Sequence, residues 1–203
     1  MKIAFVTNEK IFRFESGRDF LPWIYIAAVL LITAVTEYFQ GRVLWCRVGD
    51  TMPWSWEVWT PHNSQHLIDP YSFTHILHGV VEFFILSLLF PRLPVIWRLV
   101  IALFVEGTWE MVENTSYVIN RYREATISLN YYGDSIANSL SDITCCGLGF
   151  LIGNKLRFWW SLALFIFTEA VLIATIHDSL IINVIMLLYP SDWIRDWQMA
   201  GAR

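Results

Sequence analysis

Residues 71–90 read YSFTHILHGVVEFFILSLLF and run straight into PRLP at 91–94. As a helix this stretch covers ~30 Å of hydrocarbon at ~1.5 Å per residue, the depth of a bilayer core. Pro91 and Pro94 then stop the helix and force a tight turn. The same stretch carries His75, His78 and Glu82 at spacings of three and four, so all three project from one side of the helix. A membrane crossing with an ionisable stripe decides how the rest of the chain is read.

Working outward, four further apolar runs lie at 21–39, 95–116, 134–153 and 158–176. The first holds a single charge, Glu37, and is long enough to cross. The run at 134–153 contains Cys145, Cys146, Gly147, Gly149 and Gly153, and its Gly149-x-x-x-Gly153 spacing allows close helix contact. After His177, Asp178 and Ser179 comes a run at 180–189 that is too short to span, which predicts an interfacial or re-entrant segment, with a sixth, tilted crossing as the alternative. The expected fold is an all-α polytopic transmembrane helical bundle of about five membrane-spanning helices plus that short C-terminal segment. It forms a single integral membrane domain over 1–203, with an aromatic segment at 40–68 outside the bilayer.

Composition agrees: 56% of residues are hydrophobic and 16% charged, with a net charge of -4. Lys and Arg are scattered, so nucleic acid is excluded as a partner and the lipid bilayer takes its place. Cys46, Cys145 and Cys146 show no CxxC spacing and are read as small packing residues. The polar first twenty residues hold Lys2, Lys10, Arg13 and Arg18; the run behind them is too long for a signal peptide and has no small-x-small cleavage pattern, so it is expected to stay as the first helix. Those four cations, with Arg92, Arg98, Lys155 and Arg157 in the 91–98 and 154–157 turns, predict a cytoplasmic N-terminus. Connections 40–70 and 117–133 then lie on the outer side, where Trp45, Trp54, Trp56, Trp59, Tyr131 and Tyr132 suit an interfacial belt.

This topology brings the ionisable residues to one depth. Glu37, His75 and His78 fall near the outer ends of their helices with Glu82 about two turns deeper, Glu106, Glu110 and Glu113 in the outer half of the third, Asp134 and Asn138 at the outer start of the fourth with Asp142 two turns in, and Glu169 with His177 and Asp178 in the outer half or end of the fifth. A charge inside a membrane helix costs several kcal/mol, so acids contributed by every helix need pairing, protons, water or a bound ion. Three stripes stand out: His75, His78 and Glu82; Glu106, Glu110 and Glu113; and Asp134, Asn138 and Asp142. They are expected to meet around one polar cavity. Arg121 and Arg123, in the connection after the third helix, are candidates to neutralise it or to hold an anionic headgroup.

Two chemistries fit the stripes. Imidazole and carboxylate suit a divalent metal, with His75, His78 and Glu106 as the candidate ligands. Glu110, Glu113, Asp134 and Asp142 are candidate catalytic acids and bases, since acids packed this closely suit proton transfer as well as metal binding. The ordinary alternatives are a structural hydrogen-bond network for the acids, histidines bonded to neighbouring acids, and solvated loop positions for His62 and His66. No HExxH is present, nor the ExxH pair of di-iron bundles. Ser139 and Ser141 are read as helix-packing hydroxyls.

The order of motifs DPYSFTHILHG, EGTWEMVEN, RYREAT and YYGDSIANSLSDITCCGLGFLIG, over 69–153, resembles that of VanZ-like membrane proteins. That resemblance points to His78, Glu110, Glu113, Arg121, Asp134, Asn138 and Asp142 as the matching positions, with Glu113 standing where the pattern more often has Gln. The tryptophan-rich segment 40–68 has no counterpart in it. The whole chain more closely resembles a family of bacterial inner-membrane proteins of unknown function, which implies a multi-pass protein of the cell inner membrane. Three functions follow as expectations: a membrane-embedded hydrolase or transferase acting on a lipid-linked or other amphiphilic anion, with Arg121, Arg123 and Asn138 binding substrate; a proton- or cation-coupled transporter; or a noncatalytic envelope or assembly protein.

Overall fold

The structure is a computed structural model that describes residues 20–125 and 130–201. It contains eight helices, α1 (Leu21–Phe39), α2 (Ser72–Leu89), α3 (Val95–Glu113), α4 (Ser116–Ala125), α5 (Ile136–Lys155), α6 (Phe158–Ile176), α7 (Leu180–Leu188) and α8 (Asp192–Gly201), and no strand among the described residues. Four of them, α1, α2, α5 and α6, are long and apolar enough to cross a membrane. At 19 residues α3 has the length, but Arg98, Glu106, Glu110 and Glu113 set it apart in composition. The N-terminal cations Lys2, Lys10, Arg13 and Arg18, on which the expected orientation leans, lie outside the described residues.

Local chemistry explains the boundaries. Asp69 Oδ1 accepts from the backbone N–H groups of Tyr71 (2.7 Å) and Ser72 (3.0 Å), closing the entry to α2. Pro94, with ψ 142°, ends the turn after α2 and starts α3. The third helix stops at Glu113, and the expected loop behind it contains the separate helix α4. The fourth begins at Ile136, two residues later than expected, because Ser135 caps it by accepting from Asn138 N. The short run after Ser179 folds as α7, whose first N–H groups, of Leu180 and Ile181, are met by the Glu169 carboxylate at 2.9 and 3.2 Å. The amphipathic α8 follows.

The most extensive pairing is α2 against α5. A Cβ on Gly79 would stand 1.9 Å from the Cys146 carbonyl oxygen, and one on Gly149 would stand 1.9 Å from that of Ile76, so the two backbones touch where the helices cross. Against α1, Gly107 of α3 makes a similar close approach to Val29 and Thr33. The apolar core, Phe83, Leu86, Leu99, Leu103, Ile143 and Phe150, fills the half of the bundle toward the α2–α3 turn. In the same half the buried Arg98 donates to Ser87 Oγ at 2.7 Å. Around the outside, α1 and α6 present Ile24, Leu31, Trp159, Trp160 and Phe167, a rim suited to lipid chains. The opposite half is polar, and residues 40–71 close over it. His66, read from sequence as a solvated loop residue, is fully buried there.

A buried acid and histidine site

The stripes on α2 and α3 meet at Glu106. His75 Nδ1 donates to Glu106 Oε1, and His78 Nδ1 lies 3.1 Å from both carboxylate oxygens of the same residue. His75 Nδ1 is also 3.4 Å from Glu110 Oε1, and its Nε2 is 3.9 Å from Asp142 Oδ2 on α5. Metal-sized sets of donors therefore overlap: His75, His78 and Glu106; His75, Glu110 and Asp142; Glu82, Glu106 and Cys146; Glu110, Glu113 and Asp134, each with donor atoms within 4.8 Å of one another. The spacing of three and four along each helix is what lets one residue serve two sets.

A cavity of about 540 Å³ opens on this cluster. His75, His78, Glu82, Glu106, Glu113, Asp134 and Asp142 stand in its wall, while Val81, Val105, Phe165, Leu180, Val184 and Leu187 make the remainder largely apolar. Glu110 lies just behind the wall, 1% exposed, with Oε1 lacking a hydrogen-bond partner.

Several members of the site were not singled out from the sequence. Asn114, the residue that ends α3, donates from Nδ2 to Asp134 Oδ2 at 2.8 Å and accepts from Asp134 N at Oδ1, also at 2.8 Å. The same Nδ2 lies 3.4 Å from Glu37 Oε1 and 3.3 Å from Ser139 Oγ, so Asn114 joins α1, α3 and α5. Tyr131 donates to Asp134 Oδ1 at 3.0 Å, and Tyr122 bonds both Glu113 and Asn183 Oδ1. Only the tight EMVEN run hinted at Asn114, and nothing local marks the tyrosines. Outside the spans, burial raises Asp134 to about 6, opposed by the Asn114 and Tyr131 hydrogen bonds. Burial likewise raises Asp178 to about 6, although it accepts from Ser179 N and the Tyr71 hydroxyl.

The remaining candidates stand elsewhere. Arg121 donates from Nε to the Leu187 carbonyl at 3.1 Å, and Arg123 is exposed, with its guanidinium 5.1 Å from the Tyr132 ring centre. Neither lines the cavity. Asn138 is buried and donates to the His66 carbonyl at 2.8 Å, tying α5 to the covering segment. Glu169 serves α7, as described above. Cys146 packs between α2 and α5 with Sγ 3.2 Å from Glu82 Oε2.

Fold and site together define an all-helical protein of membrane type, with apolar helices gathered around a buried cluster of carboxylates and imidazoles. The family model described as "Protein of unknown function (DUF2585)" matches residues 37–200, and the chain belongs to that family. It is 44% identical over 179 residues to a UPF0314 protein of Paracoccus denitrificans, covering 88% of this chain and 93% of the relative. It is 39% identical to UPF0314 proteins of Brucella anthropi (86% of this chain, 89% of the relative) and Sphingopyxis alaskensis (88% and 95%). No solved structure matches the chain.

Proposed function

We propose that this chain is a multi-pass protein of the bacterial inner membrane, crossing five times through α1, α2, α3, α5 and α6 with its N-terminus cytoplasmic. Burial of Arg98, Glu106 and Glu110 against neighbouring helices supports α3 as a crossing, because it keeps those charges away from lipid. In this reading α7 is the interfacial or re-entrant piece. The protein acts as a membrane-embedded hydrolase or transferase on an amphiphilic anion. One observation carries the proposal: a cavity whose wall is apolar along Val81, Val105, Phe165, Val184 and Leu187 and polar at the imidazoles of His75 and His78 and the carboxylates of Glu106 and Asp142. An amphiphile has the same division between chain and head.

An anionic head does not enter an acidic pocket unaided, so a divalent cation on His75, His78 and Glu106 is part of the proposal. When bound, it would polarise the scissile group or activate water. Glu110, Glu113, Asp134 and Asp142 would then accept and return protons. Arg121 and Arg123 would attract the headgroup toward the rim, where Leu187 is both a wall residue and the acceptor for Arg121. The resemblance of the motif order to that of VanZ-like proteins is compatible with such a bundle but transfers no reaction. The test is metal content and hydrolysis of amphiphilic phosphoesters by the purified full chain. Replacing His78 by Ala and Glu110 by Gln together is expected to remove one equivalent of metal and the activity. A metal-free protein that still turned over would overturn the mechanism.

A second reading, proton or cation transport, is favoured by the continuity of the donor sets from Glu82 to Asp134. The apolar packing of Phe83, Leu86, Leu99 and Phe150 below the site weighs against it, since among the described residues α2, α3 and α5 carry no carboxylate in that half to continue the path. Ion-coupled uptake in proteoliposomes that vanished with Glu110→Gln would make transport the better reading.

A further inference from the structure

The segment joining α1 to α2 holds a second group of donors, away from the cavity acids. Cys46 Sγ lies 3.6 Å from His62 Nδ1, and His62 Nδ1 lies 3.2 Å from His66 Nε2. All three donor atoms fall within 4.8 Å of one another. Asp50 Oδ2 is 3.9 Å from the same His62 nitrogen. Cys46 is 8% exposed and His66 fully buried, while His62 and Asp50 are half-buried, so the group has a buried floor and one side open to an entering ion.

We propose that Cys46, His62, His66 and Asp50 form a binding site for one zinc-class divalent ion. The spacings are those that a tetrahedral ion imposes. With Zn–S near 2.3 Å and Zn–N near 2.0–2.1 Å, tetrahedral geometry sets sulfur and nitrogen ~3.5 Å apart and two nitrogens ~3.3 Å apart. The observed 3.6 and 3.2 Å match both edges. Asp50 needs a movement of roughly 0.6 Å to reach the fourth corner. Its placement is already guided, because Oδ1 accepts from Met52 N at 2.9 Å and its carbonyl accepts from the Trp45 indole at 2.8 Å.

The tautomer of His66 supplies a second line of argument. Its Nδ1 donates to the Met52 carbonyl at 2.6 Å, which leaves Nε2 without a proton and aimed at the cluster. Ligating histidines are oriented in this way by a backbone acceptor on the far nitrogen. The mixed thiolate, imidazole and carboxylate set suits Zn²⁺ better than Mg²⁺ or Ca²⁺. Binding converts the Cys46 thiol to thiolate and releases one proton to solvent; the histidines enter neutral.

The site also has a structural task. The His66 carbonyl accepts from Asn138, the Gln65 carbonyl accepts from Ser135 Oγ at 3.1 Å, and Gln65 Nε2 donates to the Gly133 carbonyl at 2.8 Å. The loop held by the ion is therefore hydrogen-bonded to residues on both sides of Asp134. An ion here fixes the cover of the cavity without entering it.

The test is a Co²⁺ titration of the detergent-solubilised full chain. One equivalent is expected to give a near-ultraviolet thiolate-to-cobalt charge-transfer band that excess Zn²⁺ displaces. The band should be lost in Cys46→Ser and kept in Cys145→Ser/Cys146→Ser, which removes the thiol beside Glu82 and Glu106. Absence of the band in the parent protein, its survival in Cys46→Ser, or its loss in the double variant would each overturn the assignment. Zinc-edge X-ray absorption of the parent protein with one equivalent of Zn²⁺ needs no variant. One sulfur and two imidazoles support the site; an all-oxygen shell, or sulfur without imidazole, refutes it.

Discussion

Replacing Gly149 by Ala tests whether the α2–α5 crossing sets the geometry of the site. The added methyl would meet the Ile76 carbonyl oxygen at 1.9 Å and its carbon at 2.7 Å, both backbone atoms that no rotamer change can move. Ordinary contact is near 3.4 Å, so the helices must part by roughly 1.5 Å. Overpacking of this kind costs about 3 kcal/mol or more, which for a chain of this size lowers the melting temperature by roughly 6–12 °C. Ile76 adjoins His75, so the same movement pulls the imidazole away from Asp142, already 3.9 Å distant. A displacement of ~1 Å is enough to cost ~10²-fold in a positioned reaction. Gly153→Ala is the internal control: its methyl meets Phe83 Cβ at 3.0 Å and two ring carbons at 3.1 and 3.2 Å, a contact that a shift of a few tenths of an ångström relieves. Thermal unfolding of both variants in detergent is expected to separate them clearly. Gly149→Ala within ~0.5 kcal/mol of the parent, or Gly153→Ala equally damaged, would refute the close-crossing argument.

Other outcomes follow from the same contacts. Glu169→Gln leaves one acceptor oxygen where the carboxylate meets two N–H groups, and should cost about 1–2 kcal/mol while speeding amide exchange at Leu180 and Ile181; unchanged exchange would remove its role as anchor of α7. Asp178, raised to about 6 from 3.8, holds its proton in the folded protein after the unfolded chain has released it. Its contribution is complete below pH 3.8 and is lost as pH rises through about 6, so Asp178→Asn should flatten that window, gaining up to ~3 kcal/mol on the parent between pH 4 and 7 in chemical unfolding. In a Cys46→Ser background, Mn²⁺ at a hundred times its dissociation constant should stabilise the protein by ~2.7 kcal/mol through the cavity site alone; no shift in melting temperature would leave protons to neutralise the acids.

Much of the helical framework was readable because bilayer thickness dictates helix length. The Leu21–Phe39 and Phe158–Ile176 boundaries coincide with the expected runs. The exceptions have local causes. α4 and α8 are short, polar helices that no apolar run announces, and α3 stops at Glu113 because Asn114 turns its side chain onto Asp134. Spacing along single helices placed His75, His78, Glu106, Glu110 and Asp142 on facing sides. Asn114 and Tyr131 join through contacts that only the assembled bundle makes. Arg121 shows the reach of a contact that local sequence does not announce. Proximity in sequence to an acidic helix suggested an ion pair, but its partner is the Leu187 carbonyl, 66 residues away. His66 looked solvated because its neighbours are polar, yet those neighbours spend their hydrogen bonds on α5 and bury it.

The charge balance of the cavity end constrains what any function must include. Glu37, Glu82, Glu106, Glu110, Glu113, Asp134 and Asp142 are linked through shared donor sets and Asn114, and among the described residues the cationic capacity facing these seven acids comes from His75 and His78, with Arg42 beside Glu37. Fully ionised, such a group would cost far more than a folded protein's net stability, even with every hydrogen bond made. Protons or cations must therefore enter with folding or binding, and their release is available to drive chemistry or movement. A purely structural network would achieve the same packing with amides in place of acids and without that cost. Asn114 shows that an amide is accepted at the centre of the cluster. The acids around it are what the proposed function requires, an exchange of protons or ions with something that enters the cavity.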